Sequence, residues 1–490
     1  MTRLRTYWPE VLIILFFFAS RTAALTTLPL HNDEGLHLTR AIQVWNGHPF
    51  YDIGDGKILG VWLIAGFYPQ VSPVFTARIA TIFVTAIGLA AGMALARLVT
   101  KRRSAAVIAG LLWLFSPYLF FFERLALADI EAGAAIVVLT LAMIPDASHG
   151  WRNTIVAGIA LGAALLFKVS AAPFAGIPLL SILLTRNMNW RKRITRLVTI
   201  YAIALIMFAP AAIYSATRSS FFSIARSWIG GPQVSLGERT VQNAFTFLNT
   251  VVTVDGVWTL VFIGVPFGLL AGRRGIYVVG SVAAPLLVMV VFGTEVLDRH
   301  FGAIMPLLTV AAAVGLTPLI AGRRKGNVPS AHLVNRWGQL AIAVLAIGGF
   351  VWVWNWAYWP AYTDPASFPL TGAMREQYVT LFPSGYGLRE AVIALPQTVG
   401  SNPVIASMTG DGCRRALFYL SAPLSVDCVG TGQGQEQIKQ ALNKSGVAYV
   451  LAEDKPIGLN PATVPATWTQ VAIYPRPNNG SDVTLWKVTP

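Results

Sequence analysis

Long apolar stretches separated by short polar turns fill the first three-quarters of the chain. A bilayer-crossing helix needs about 20 mainly apolar residues, and stretches of that kind lie at 8–25, 71–98, 105–122, 125–144, 154–167, 171–184, 194–214, 251–270, 276–292, 301–320 and 340–359, about eleven in all. The stretches at 154–167 and 171–184 are short enough to form a re-entrant hairpin, and losing both as spans leaves the parity unchanged. Two long polar connections fall near 26–70 and 216–250. Within the first, 34–45 reads as a helix lying on the membrane with Leu36, Ala41, Val44 and Trp45 as its apolar face. From residue 360 the pattern becomes that of a small α/β unit. Helices are expected near 387–395, 414–420 and 435–445, and strands near 403–407, 448–452, 470–474 and 483–488. The organisation expected is a membrane-embedded part over 1–359 and a water-soluble part over 360–490.

Composition agrees with an α-helical polytopic membrane protein. Hydrophobic residues make up 55% of the chain and charged residues 12%, where soluble domains carry about 25% charged residues. The net charge of +15 comes from short basic runs between apolar stretches: Lys101–Arg103, Arg191–Arg193, Arg273–Arg274 and Arg323–Lys325. Such runs mark cytoplasmic loops. With Arg3 and Arg5 ahead of the first stretch, the N-terminus is placed in the cytoplasm, and all four runs then fall on that side. The connections at 26–70 and 216–250 and the segment from 360 fall outside. The first stretch is read as an uncleaved anchor rather than a signal peptide, its apolar core being short and interrupted by Arg21. The last segment has about nine basic and nine acidic residues and adds nothing to the charge. Nucleic acid is therefore not an expected partner. Its Cys413 and Cys428 are the only thiols of the chain, in a compartment where disulfides persist, and are expected to pair. Gly88/Gly92 and Gly158/Gly162 have the spacing of closely packed helices.

The densest polar cluster near the membrane is His31-Asn32-Asp33-Glu34-Gly35-Leu36-His37. Adjacent carboxylates at a bilayer boundary need a partner or a use. A simple use is capping of the interfacial helix by Asn32 or Asp33. Asp52, Asp55 and Lys57 lie further on in a glycine-rich turn, and Glu123, Arg124, Asp129 and Glu131 cluster between two apolar stretches. Lys168 ends another stretch, and Asp298-Arg299-His300 begins a further one. Each alone reads as a membrane-surface anchor. Together they fall on one face, where carboxylates and cations suit an anionic, lipid-linked substrate.

The order of these features resembles a known group. An Asp-Glu pair after the first span, an Asp-x-Lys element, Ser-Pro-Tyr…Arg-Leu-Ala-Leu-Ala-Asp, a span ending in lysine and Asp-Arg-His-Phe…Pro are similar to bacterial members of the protein O-mannosyltransferase-like group, over about residues 1–320. These are GT-C-fold glycosyltransferases that use polyprenyl-phosphate-linked sugars, and they include the aminoarabinose transferases of lipid A. The Gly385–Ala391 stretch is similar to the segment after the last span in some of them. Lys57 is succeeded by Ile58-Leu59-Gly60, where many relatives have Pro-Pro-Leu.

The resemblance implies transfer of a sugar, with inversion, from a polyprenyl phosphate to an acceptor hydroxyl on the extracytoplasmic face of the cell membrane. A polyprenyl phosphate is a good leaving group, so the chemistry needs a base for the acceptor and cations for the phosphate. Asp33 is the expected base, with Glu34 as its orienting partner or substitute. Arg124, Lys168, Arg299 and His300 are expected at the donor phosphate, and Asp55, Lys57 and Asp129 elsewhere in the substrate site. Adjacent Asp33 and Glu34 make a poor metal cage, and no metal or other cofactor is expected. A transporter of lipid-linked saccharide is the competing class, but it gives no reason for the large outer segments, and no two-fold repeat is evident. A third is a non-catalytic assembly factor in which the acidic pair only caps a helix. The topology is tested with an alkaline phosphatase fused to the C-terminus. The fusion should be active, and activity of a cytoplasmic reporter alone would contradict the orientation.

Overall fold

Each of the eleven apolar stretches is helical over much of its length. The computed structural model describes residues 2–53, 55–146, 150–186, 188–217, 235–294, 296–320, 331–408, 410–420, 426–428, 434–453 and 466–490. Most of the expected connection at 216–250 up to residue 234, and the basic run at 323–325, lie outside them. The main helices are α1 (Thr2–Thr22), α2 (Asn32–Trp45), α3 (Ile58–Gly66), α4 (Pro73–Thr100), α5 (Arg103–Leu114), α6 (Pro117–Glu123) and α7 (Ala128–Ala142). They continue with α8 (Trp151–Phe167), α9 (Gly176–Leu184), α10 (Trp190–Thr217), α11 (Leu236–Asp255), α12 (Gly272–Phe292), α13 (Met305–Ile320) and α14 (Ala331–Val353).

By length and composition, four runs among the described residues suit a membrane crossing: Pro73–Thr100, Trp190–Tyr214, Leu236–Phe292 and Ile342–Thr363. The stretch at 105–122, expected as one span, is two helices, α5 and α6, bent by 67°. Pro117 causes the break. A residue before proline is pushed out of the helical region, and Ser116 is extended, with its hydroxyl capping α6. Close packing of α8 on α10 needs Gly158, where a Cβ would come within 2.7 Å of the Ile203 Cβ. Arg21, which interrupts the first apolar stretch, is fully buried. It pairs with Glu123 at 2.8 Å and donates to the Tyr358 hydroxyl at 2.8 Å, tying α1 to α6 and the segment after α14.

Two ends of the helical body are chemically distinct. Arg103 pairs with Glu10 at 2.7 Å, and Arg274 donates to the carbonyls of Leu98 and Asp146, so basic runs gather at one end. Arg78, near the start of α4, reaches the loop after α1. The 20 residues from Arg78 to Leu98 are about 30 Å of helix, which separates that loop from the basic end.

Among the described residues the C-terminal sheet has five strands: β1 (Val404–Ser407), β2 (Val426–Cys428), β3 (Ala448–Glu453), β4 (Thr467–Tyr474) and β5 (Val483–Thr489), in the order β2-β1-β3-β5-β4. The first three strands are parallel and the last two pair antiparallel. Its helices are α15 (Leu388–Val399), α16 (Gly410–Leu417) and α17 (Gly434–Ser445). Successive side chains of a strand point to opposite faces. Val404 and Ala406 accordingly pack with Leu388, Val392 and Cys413, and Ile405 packs with Ile438. Cys413 of α16 is disulfide-bonded to Cys428 of β2. The short β2 is the one strand that the hydropathy pattern does not reveal. Its three residues are too few for a periodic signal.

Candidate active site

The site is built on a buried ion pair. Glu34 and Arg78 are both fully buried, and Arg78 donates to the Glu34 carboxylate through Nε at 2.9 Å and Nη2 at 2.7 Å. Arg78 also donates to the carbonyls of Leu25, Leu28 and Pro29, and Glu34 accepts from the backbone N–H groups of His31 and Ala126. Both oxygens of Glu34 are engaged, so it serves as an anchor and is no substitute base. The pair binds the start of α2 to α4 and to the turn before α7.

The helix cap is His31, not Asn32 or Asp33. Its Nδ1 accepts from the Asp33 N–H at 3.2 Å, and the Glu34 side chain completes the capping box. The buried face of α2 also differs from the expected Leu36, Ala41, Val44 and Trp45. Trp45 is exposed and Leu36 half-buried, while His37, Leu38, Arg40 and Ala41 are buried with Glu34. The anchor turns the helix so that its polar side faces inward.

With the cap assigned to His31, Asp33 is left for other work. Asp33, His37 and Arg40 are spaced i, i+4 and i+7, on one side of α2. Arg299 Nη1 donates to Asp33 Oδ2 at 2.6 Å, and Lys57 Nζ stands 3.9 Å from the same oxygen. Lys57 also pairs with Asp55 at 3.2 Å, and Asp55 with Arg40 at 2.8 Å. Charges thus alternate along Arg40–Asp55–Lys57–Asp33–Arg299, three positive and two negative. Burial raises the Asp33 carboxyl pKa, but Lys57 and Arg299 outweigh it and hold the group well below the usual carboxylate range. Asp55 is lowered too, by Lys57 and Arg40 against its burial. Burial takes His31 down to about 3 and His37 to about 4, so both rings are neutral at physiological pH. Asp298 presents Arg299 by accepting from the hydroxyls of Thr250 and Thr371.

The other predicted residues divide. Lys168 is ion-paired with buried Asp129, and the charge of Arg299 acts on that pair. The His300 Nδ1 accepts from the Leu297 N–H, closing its own turn. Arg124 is not brought into the cluster. Its guanidinium donates to the carbonyls of Ser20, Ala23 and Ala24 and lies over the rings of Phe120 and Tyr362. Arg40, Arg78 and His37 went unassigned in the sequence. The i, i+4, i+7 spacing on α2 signals two of them, and nothing local signals Arg78.

The C-terminal segment closes the other side. Asn32 donates its N–H to the Pro383 carbonyl at 2.9 Å, and Leu30 to the Tyr419 hydroxyl at 2.6 Å. Fully buried Arg415 of α16 donates to the carbonyls of Phe382, Pro383 and Ser384. Its stem crosses Gly35, where a Cβ would lie 2.5 Å from Arg415 Cγ. Tyr378 packs its ring 4.7 Å from that of His31. Among the described residues, no group of three or more His, Cys, Asp or Glu side chains is arranged to hold a metal ion.

Residues 55–214 match the family model described as dolichyl-phosphate-mannose-protein mannosyltransferase. No curated protein matches the sequence. The structure is similar to ArnT from Cupriavidus metallidurans solved with undecaprenyl phosphate, at 14% identity over 98% of each chain and a TM-score of 0.66. The fold is that of the GT-C type. The structure is also similar to the oligosaccharyltransferase AglB from Archaeoglobus fulgidus, in complex with an inhibitory peptide and a dolichol-phosphate. That match has 11% identity over 92% of this chain and 70% of that one, with a TM-score of 0.55. The matched segment runs from residue 55 to residue 214, so Asp33 and Arg299 lie outside it.

Removing one partner of a buried ion pair strands the other. Glu34→Gln or Arg78→Met should therefore cost about 3–5 kcal/mol, read as a fall in thermal midpoint in detergent. An unchanged midpoint would show that the pair does not anchor the loop.

Proposed function

We propose that this protein moves a sugar from a polyprenyl-phosphate donor to an acceptor hydroxyl at the extracytoplasmic face of the cell membrane, inverting the anomeric centre. The observation that carries the proposal is the Asp55–Lys57–Asp33–Arg299 chain of charges. The ligands in the structures of similar fold, undecaprenyl phosphate and dolichol-phosphate, support the donor class. The acceptor is a glycan, lipid or protein of the envelope.

In this mechanism the acceptor oxygen attacks the anomeric carbon while the carbon–oxygen bond to phosphate breaks. The acceptor proton passes to Asp33. The leaving phosphate carries the negative charge to Lys57 and Arg299, whose ammonium and guanidinium suit phosphate oxygens. Asp33 held low by two cations is a weak base, and the donor corrects this. A phosphate competing for Lys57 and Arg299 removes the charges that depress Asp33, so the carboxylate gains basicity as the donor arrives. Lys168 and His300, paired to Asp129 or closing a turn, shape the wall of the donor site. Arg124 holds the chain after α1.

Asp33→Asn keeps the shape and removes the proton acceptor. Transfer should fall by about two to four orders of magnitude, the range for a positioned base. Binding of undecaprenyl phosphate should persist and should weaken in Arg299→Ala and Lys57→Ala. A folded Asp33→Asn protein with unchanged transfer would remove Asp33 as the base.

A further inference from the structure

His37 lies at the centre of the charge chain and has no part in it. Its Nδ1 lies 2.9 Å from the Ala126 carbonyl oxygen. A carbonyl only accepts, so Nδ1 carries the proton and Nε2 of the neutral ring has only a lone pair to offer. The residue is 3% exposed, and its Nε2 has no hydrogen-bond partner among the described residues. A buried polar atom of this kind needs an explanation, because an unmade hydrogen bond there is costly. His37 stands one turn after Asp33 on α2, and the charges facing its ring are Lys57, Arg40, Asp55 and Asp33. Three of the chain's groups, Lys57, Arg40 and Arg299, offer only donors, and the carboxylates are already engaged by them. His37 is the neutral acceptor in this setting.

His31 complements it. Its Nδ1 accepts from the Asp33 N–H, so in the neutral ring the proton is on Nε2, and that N–H also has no partner among the described residues. His31 and His37 thus place an unsatisfied donor and an unsatisfied acceptor, both neutral, either side of Asp33 in sequence. A carboxylate or phosphate has no proton to give an acceptor nitrogen. A hydroxyl has.

We propose that His37 Nε2 accepts a hydrogen bond from a substrate hydroxyl held beside Asp33, making it a specificity-determining residue of the transferase. The proposal rests on the function given above. Lys57, the charge that acts most strongly on the ring, leaves for the donor phosphate, and the hydroxyl enters with the donor or the acceptor.

The test uses the full chain in native membrane vesicles, a panel of labelled undecaprenyl-phosphate pentoses and hexoses, and two variants that keep different halves of the imidazole. His37→Asn retains an amide near Nδ1, in reach of the Ala126 carbonyl, and lacks anything at Nε2. His37→Gln places an amide near Nε2 and gives up the Ala126 contact. The proposal predicts that His37→Asn keeps the thermal midpoint but loses transfer roughly tenfold or more, the value of a lost hydrogen bond to a buried group. His37→Gln stays within about threefold of the unaltered chain. A raised donor KM in His37→Asn assigns the hydroxyl to the transferred sugar. A lowered kcat at constant donor KM assigns it to the acceptor. Full transfer by His37→Asn, or loss in His37→Gln alone, shows that the ring only braces Ala126 and overturns the proposal. No turnover of any panel member by the unaltered chain overturns the transferase mechanism, and the His37 assignment with it.

Discussion

The Glu34 carboxylate cannot exist where it does without Arg78. Both side chains are closed off from solvent, and either charge alone in that position would cost several kcal/mol. The pair is made tolerable by complete hydrogen bonding: two bonds between the partners, three backbone carbonyls on the arginine and two backbone N–H groups on the carboxylate. Those backbone partners come from the loop after α1, the start of α2 and the turn before α7. A single electrostatic requirement therefore fixes three segments far apart in sequence. It also orients α2, whose inward side then carries Asp33, His37 and Arg40.

The site beside this anchor has the opposite character. Asp33, Lys57, Asp55 and Arg299 keep about a fifth of their side-chain surface open, so their pairing can be exchanged at modest cost. With Asp52 joined to Arg40 and Arg414 joined to Asp52, four cations face three carboxylates, leaving a net positive charge for an anion. In the proposed mechanism the donor phosphate completes the chain and releases Asp33 at the same time. One residue to the next along α2, the sequence moves from an exchangeable carboxylate to a fixed one. The C-terminal segment takes part in holding that geometry. Arg415 leans on Gly35 and grips the 382–384 turn, and Cys413 joins its helix to β2.

Periodicity made the helical stretches legible, along with the α/β pattern after residue 360, because apolar length and two-residue alternation are local properties. The chemistry of the site was legible as a set of residues: Asp33, Asp55, Lys57, Asp129, Lys168 and Arg299 do converge. Partnership was concealed. Asp33 and Glu34 are adjacent and chemically alike, yet one meets Arg299, 266 residues away, and the other Arg78 of α4. Arg124 looked like a phosphate ligand, and only the bend at Pro117 shows that it faces the carbonyls of α1's end. Cap and face of α2 were misread for the same reason, since a buried ion pair overrides an apolar stripe.

The central claim is that Arg299 and Lys57 are shared between Asp33 and the donor phosphate. It is tested most directly by the structure of the protein bound to undecaprenyl phosphate. The account predicts phosphate oxygens within hydrogen-bond distance of Arg299 and Lys57, with the 2.6 Å contact between Arg299 and Asp33 broken. A phosphate seated elsewhere while that contact remains intact would contradict it.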